Sequence, residues 1–202
     1  MSKVKGKKRS TFIDMTAMSD VTVLLLTFFM STSNFIPKEP VQVITPYAVS
    51  EIKIPEANIM TILIDPTGKI FLSLDKAGDK KEVLKMIGDD YNIKFTPKQI
   101  KAFVNQPNIG MPAGLMAKFL DMDMEDQDKA MKDFGIPSDS TNNQFKRWVM
   151  HARKVNPDLK IAIKADRTTP YPKIKNVLNT LLDLKENRYN LVTTLEGMPA
   201  GV

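Results

Sequence analysis

The stretch Asp14–Ile36, DMTAMSDVTVLLLTFFMSTSNFI, constrains the chain more than any other. It is mostly apolar, contains no Gly or Pro, and carries one acid, Asp20, well inside it. Counted from Met15 to the residue before Pro37 it makes ~33 Å of helix, enough to cross a ~30 Å hydrocarbon core. The preceding segment holds Lys3, Lys5, Lys7, Lys8 and Arg9 and no acid. The positive-inside rule then predicts a cytoplasmic N-terminus and translocation of the long remainder. The expected organisation is a basic tail over 1–13, a transmembrane helix over 14–36, an extended tether over 37–57 and an α+β domain over 58–202.

Asp20 is the informative residue of that helix. A carboxylate placed in hydrocarbon costs ~2.5–3.5 kcal/mol on insertion scales, so it faces protein or water and marks an ion path. At 100° per residue, Thr16, Asp20, Thr27, Ser31 and Asn34 fall within about 40° of one line. Apart from Ser19, Thr22 and the Thr32–Ser33 end, the other faces are apolar. One polar stripe headed by an acid suits a helix that faces a proton or ion route inside a bundle. The plainer alternative starts the span at Val21 and leaves Asp20 at the headgroup level, which shortens the apolar run before Pro37.

The run FIDMTAMSDVTVLLLTFFM resembles the anchor helix of the ExbD/TolR family. That pattern is roughly Asp-Met-Thr-Pro, two aliphatic residues and an Asp, followed by a Val/Leu/Phe-rich run. Asp14, Met15, Thr16, Asp20 and Val21 match in place, while Ala17 replaces the Pro and Ser19 an aliphatic residue. The resemblance extends over residues 11–74 and about 145–195. It implies a subunit of a motor of the inner membrane driven by the proton gradient, with Asp20 as the proton-binding group. It also implies a homodimer whose helices sit in a ring of an ExbB/TolQ-like multi-span protein. Force would pass from a periplasmic domain to a TonB/TolA-like partner or to the cell wall. A reading from another class is a passive, membrane-anchored binding or scaffold domain, for which the acid is dispensable.

Composition narrows the partners. The net charge is +6, but setting aside the five N-terminal cations leaves the remaining basic residues close in number to the 23 acids. A near-neutral remainder argues against a nucleic-acid surface. Cysteine is absent, so neither disulfide nor thiol chemistry is available. The basic start and apolar run also resemble a secretory signal. The acid inside the run, its length and the lack of an A-x-A-like site after Met30 favour an uncleaved anchor.

Four prolines (Pro37, Pro40, Pro46, Pro55) keep the tether extended, with Gln42–Ile44 as a short edge strand. Ile59–Ile64 and Lys69–Leu74 form a hairpin across Asp65-Pro66-Thr67-Gly68. Helices are expected over 79–90, from a Thr96-Pro97 cap to Gln106, over 113–120, 125–134 and 140–155. A strand over 159–165 precedes a helix capped by Thr169 and opened by Pro170, burying Ile174, Val177, Leu178, Leu181 and Leu182. A final strand covers 189–195. The predicted core includes Ile62, Ile70, Leu72, Ile161, Ile163, Leu178 and Val192. The C-terminal β-α-β segment, with Asp166 and Tyr171, again resembles the family, whereas 80–140 reads as a helical insertion.

No nucleotide, hydrolase or dinucleotide motif occurs, so enzyme chemistry, cofactors and metals are not expected. The acidic run Asp121–Asp128 lacks the Gly and distal Glu of a calcium loop and reads as an acidic helix start. His151 is the only histidine and is expected at the surface or half-buried.

Overall fold

A computed structural model describes residues 15–33, 43–48, 57–139, 142–192 and 194–195. The chain divides into two units, 1–37 and 38–202. The first contributes helix α1, Thr16–Thr32, whose 17 residues make ~25 Å of helix. The helical run is shorter than the expected 14–36. Met15 is its N-cap and Ser33 is already extended; Asp14 and 34–36 lie outside the described residues. At the C-terminal end the Thr32 hydroxyl donates back to Phe28 O at 2.9 Å, the local bonding that makes Ser and Thr poor helix-interior residues. Among the described residues no helix is long and apolar enough to cross a membrane.

The second unit begins with a two-residue strand, β1 (Tyr47–Ala48), followed by β2 (Ile59–Ile64) and β3 (Ile70–Leu74). The β2–β3 hairpin turns as its residues require. Gly68 donates its N–H to Asp65 O with φ 85°, and the Asp65 carboxylate accepts from Thr67 Oγ1 and from Lys69 N. Five helices follow: α2 (Ala77–Tyr91), α3 (Pro97–Asn105), α4 (Ala113–Asp121), α5 (Met124–Asp133) and α6 (Gln144–Val155). Strand β4 (Lys160–Ala165), helix α7 (Tyr171–Asp183), β5 (Tyr189–Leu191) and β6 (Thr194–Leu195) complete the order. The main sheet runs β3-β2-β4-β5, antiparallel at β2–β3 and parallel elsewhere; β1 and β6 pair separately, in parallel. The domain is thus α+β with a mixed sheet.

Its core joins Ile62, Ile70, Leu72, Ile161 and Ile163 of the sheet to Val83, Leu84 and Ile87 of α2 and to Phe145, Trp148, Val149 and Ala152 of α6. Trp148 stacks on Phe103 of α3, ring centroids 6.0 Å apart. The region 80–140, expected as an insertion, is part of this core through Phe103, Ile109, Met116, Phe119 and Ile136. It also closes the outer edge of β3: Leu72 and Ile109 exchange both backbone bonds, and Ile136 N–H donates to Ile70 O. Gly110 lies against the Phe71 ring, where a Cβ would come within 2.2 Å. An edge strand left bare is a template for aggregation, and here chain-internal backbone covers it.

Several expectations need correction. Helix α6 starts at Gln144 rather than Ser140, because the Asn143 side chain accepts from Lys146 N and caps it. Thr169 does not cap α7: its hydroxyl donates to Asp65 O at 2.9 Å, and Pro170 occupies the N-cap. Leu182 is exposed, Ile174, Leu178 and Val192 are half-buried, and only Val177 and Leu181 of the predicted α7 set are fully buried. The last strand divides, since Val192 N–H still bonds Ile163 O while β6 pairs with β1 instead. Val43–Ile44 form no strand, and Gln42 lies outside the described residues.

Candidate functional site

Helix α1 presents Thr16, Asp20, Thr27 and Ser31, four of the five residues expected on the polar stripe; Asn34 lies outside the described residues. Helical geometry sets Thr27 about 10 Å and Ser31 about 16 Å along the axis from Asp20. The Asp20 carboxylate has no hydrogen-bond or ion partner among the described residues. Thr27 differs: its Oγ1 donates to Val23 O and Leu24 O, both at 2.9 Å. With its only proton engaged, that hydroxyl offers acceptor lone pairs alone to whatever faces it. Thr22, off the stripe, likewise donates to Met18 O at 2.7 Å.

The apolar residues around this stripe are bare. Val21, Leu24, Leu25, Leu26, Phe28, Phe29 and Met30 expose 56–74% of their surface. Apolar exposure on this scale marks a surface that something else covers. One acid, one acceptor and a hydroxyl on a single line make a face that can exchange protons with water or with a partner group.

In the α+β domain Asp166, at the C-terminal end of β4, gathers a second polar cluster. Its Oδ1 accepts from Thr168 N at 2.8 Å and Thr168 Oγ1 at 2.6 Å; its Oδ2 accepts from Ile44 N at 2.8 Å. Arg167 N–H returns a bond to Ile44 O. The Thr168 hydroxyl, then the Thr168 and Ile44 amides, hold the Asp166 carboxyl below its usual range against the cost of burial. Residues 43–46, expected within the extended tether, are therefore docked: Thr45 is buried and Val43 packs on the core. Nothing local in the sequence shows a bond across 122 residues. Tyr171, the other family position, opens α7 and is 67% exposed.

His151, expected at the surface or half-buried, is buried. Its Nε2 lies 2.8 Å from Asp90 Oδ2, and Arg147, stacked over Tyr91, approaches the same oxygen at 3.7 Å. The packing of α6 on α2 brings these groups together, which spacing along the chain could not reveal. Among the described residues no group of three or more His, Cys, Asp or Glu side chains is placed to hold a metal. In the acidic run, Asp121 accepts from Gln99 Nε2, while Glu125 and Asp126 occupy the first turn of α5, where the helix dipole favours them.

Neither a curated protein nor a solved structure gives a match to the chain. A family model does: Biopolymer transport protein ExbD/TolR matches residues 7–196, from the basic tail through α1 and the whole described part of the domain. The chain belongs to the ExbD/TolR family of biopolymer transport proteins.

Proposed function

We propose that the chain is the proton-responsive subunit of an inner-membrane motor that energises transport across the outer membrane or its maintenance. Family membership supports a role in energising biopolymer transport and an inner-membrane location. The observation that carries the finer reading is α1: an apolar helix with its large side chains uncovered and one acid, Asp20, on its polar line that has no partner among the described residues. In this reading Asp14–Ile36 is the anchor, seated within an ExbB/TolQ-like ring. Asp20 takes up a proton on one side and releases it on the other as water access changes. Flanking polar residues let a span of this length adapt to the bilayer. The α+β domain lies in the periplasm and passes motion to a TonB/TolA-like partner, the chain acting as a dimer.

The test is Asp20→Asn in cells that carry the ring partner. Asn is nearly isosteric and still hydrogen-bonds, but it cannot cycle a proton. Energised uptake or envelope integrity should be lost while the complex purifies whole. Asp20→Glu, which keeps the acid one methylene further out, should retain partial function. Full function of the Asn variant would leave the passive anchored domain as the reading.

A further inference from the structure

At the end of the main sheet opposite Asp166, where β4 begins and β5 approaches, lies a half-open cleft of about 720 Å³. Its walls are the segment following α6 (Pro157 to Lys160) and the loop following α7 (Lys185 to Arg188), with Asn58 from the start of β2. One side chain ties these walls together. Arg153 donates from Nε and Nη2 to both carboxylate oxygens of Glu186, each at 2.6 Å, and from Nη1 to Pro157 O and Leu159 O. Asn58 is fixed by Lys160 N–H on its carbonyl and by Asn156 on its side chain. The cleft is preformed, since its floor is a bidentate charge pair that needs no ligand.

Its charge is not used up internally. Lys160, Lys185 and Arg188 are exposed, and none has a side-chain hydrogen bond or ion pair among the described residues. Asp158, also exposed, is an acid of the lining with no side-chain partner among the described residues. Lys185 holds a left-handed backbone at φ 61°, a position where Gly is the unstrained choice. The fold therefore tolerates a local cost of backbone strain while keeping a cation there.

These features select among anions. Phosphate sites are built from helix N-termini and their free N–H groups, whereas this cleft follows the C-termini of α6 and α7. Helix C-termini carry partial negative charge, and with Asp158 they disfavour a compact dianion. Spaced single charges suit three separated cations better, and Asp158 provides a place for one amino group.

We propose that this cleft binds an acidic peptide segment of a partner, an extended stretch with spaced carboxylates and one amine. The assignment does not depend on the proton-motor reading of α1.

The experiment uses the full chain in detergent micelles and fluorescence anisotropy. The probe is a labelled octapeptide of alternating Glu and Gly with one central Lys; its Lys-free counterpart and a Lys/Gly peptide are controls. Binding of the acidic probe is expected, weakened about tenfold by Lys160→Glu and again by Arg188→Glu. Lys185→Gly should weaken binding several-fold while the thermal midpoint stays or rises, because Gly relieves the left-handed strain. That combination excludes misfolding as the cause. Asp158→Asn should erase the preference for the Lys-bearing over the Lys-free peptide. No binding of the acidic probe, binding indifferent to these substitutions, or equal binding of the Lys/Gly peptide would overturn the proposal. So would displacement of the peptide by millimolar inorganic phosphate, or equivalent binding to phosphatidylglycerol vesicles, since either result assigns the cleft to phosphate chemistry.

Discussion

Helix α1 and helix α6 treat their apolar residues in opposite ways. In α6, Phe145, Trp148, Val149 and Ala152 are at most 1% exposed, packed on the sheet, α2 and α3. In α1, no residue is buried. The polar groups follow the same division. The α+β domain pairs Arg153 with Glu186, His151 with Asp90 and Lys80 Nζ with Gln106 O, and burial holds the Lys80 amine below its usual range. On α1 the hydroxyls of Thr22, Thr27 and Thr32 turn back onto their own helix, and among the described residues Asp20 has no partner. The domain buries its large apolar side chains in a core of its own, whereas those of α1 are uncovered.

The largest effect expected from this contrast is functional. Asp20→Asn should abolish energised transport, read as uptake or envelope integrity, and leave the domain's urea midpoint unchanged. A shift in that midpoint would break the separation between the two regions.

Next come core truncations. Trp148→Ala should destabilise the domain by about 3–5 kcal/mol, measured by urea unfolding of the full chain in detergent. Leu25→Ala on α1 should change the same transition by less than about 0.5 kcal/mol. Equal losses would mean that α1 contributes to the domain's core.

A third, smaller effect concerns Asp166. Because its folded carboxyl is held below the usual range, the stability it contributes is present above the unfolded pKa. It is lost as pH falls through the lower folded value. Asp166→Asn should flatten this acid limb of the stability profile. It should also speed hydrogen exchange at the Ile44 amide about tenfold, because an amide oxygen replaces a charged acceptor. An unchanged acid limb would show that docking of 43–46 does not rest on this carboxylate.

The smallest effect is expected at Thr27. With its proton already engaged by Val23 and Leu24 carbonyls, Thr27→Val removes acceptor lone pairs but no charge. Transport should fall by a few-fold at most. A loss equal to that of Asp20→Asn would give the hydroxyl a role in the proton route itself.

What the sequence by itself determined is local or periodic. Asp65-Pro66-Thr67-Gly68 specifies its own turn, Thr96-Pro97 with Gln99 builds a capping box, and the 3.6-residue spacing of Phe145, Trp148 and Val149 identifies the inner face of α6. On α1, helix geometry alone sets Thr16, Asp20, Thr27 and Ser31 along one line. Tertiary structure alone decided the rest, since each remaining feature joins residues far apart in the chain. Ile44 finds Asp166, His151 finds Asp90, and β6 leaves the main sheet for β1. Thr169 gives up a capping role for a bond to Asp65, a partner 104 residues away. A polar group bonds the partner that packing brings within ~3 Å of it, and pattern along a chain carries no record of that distance.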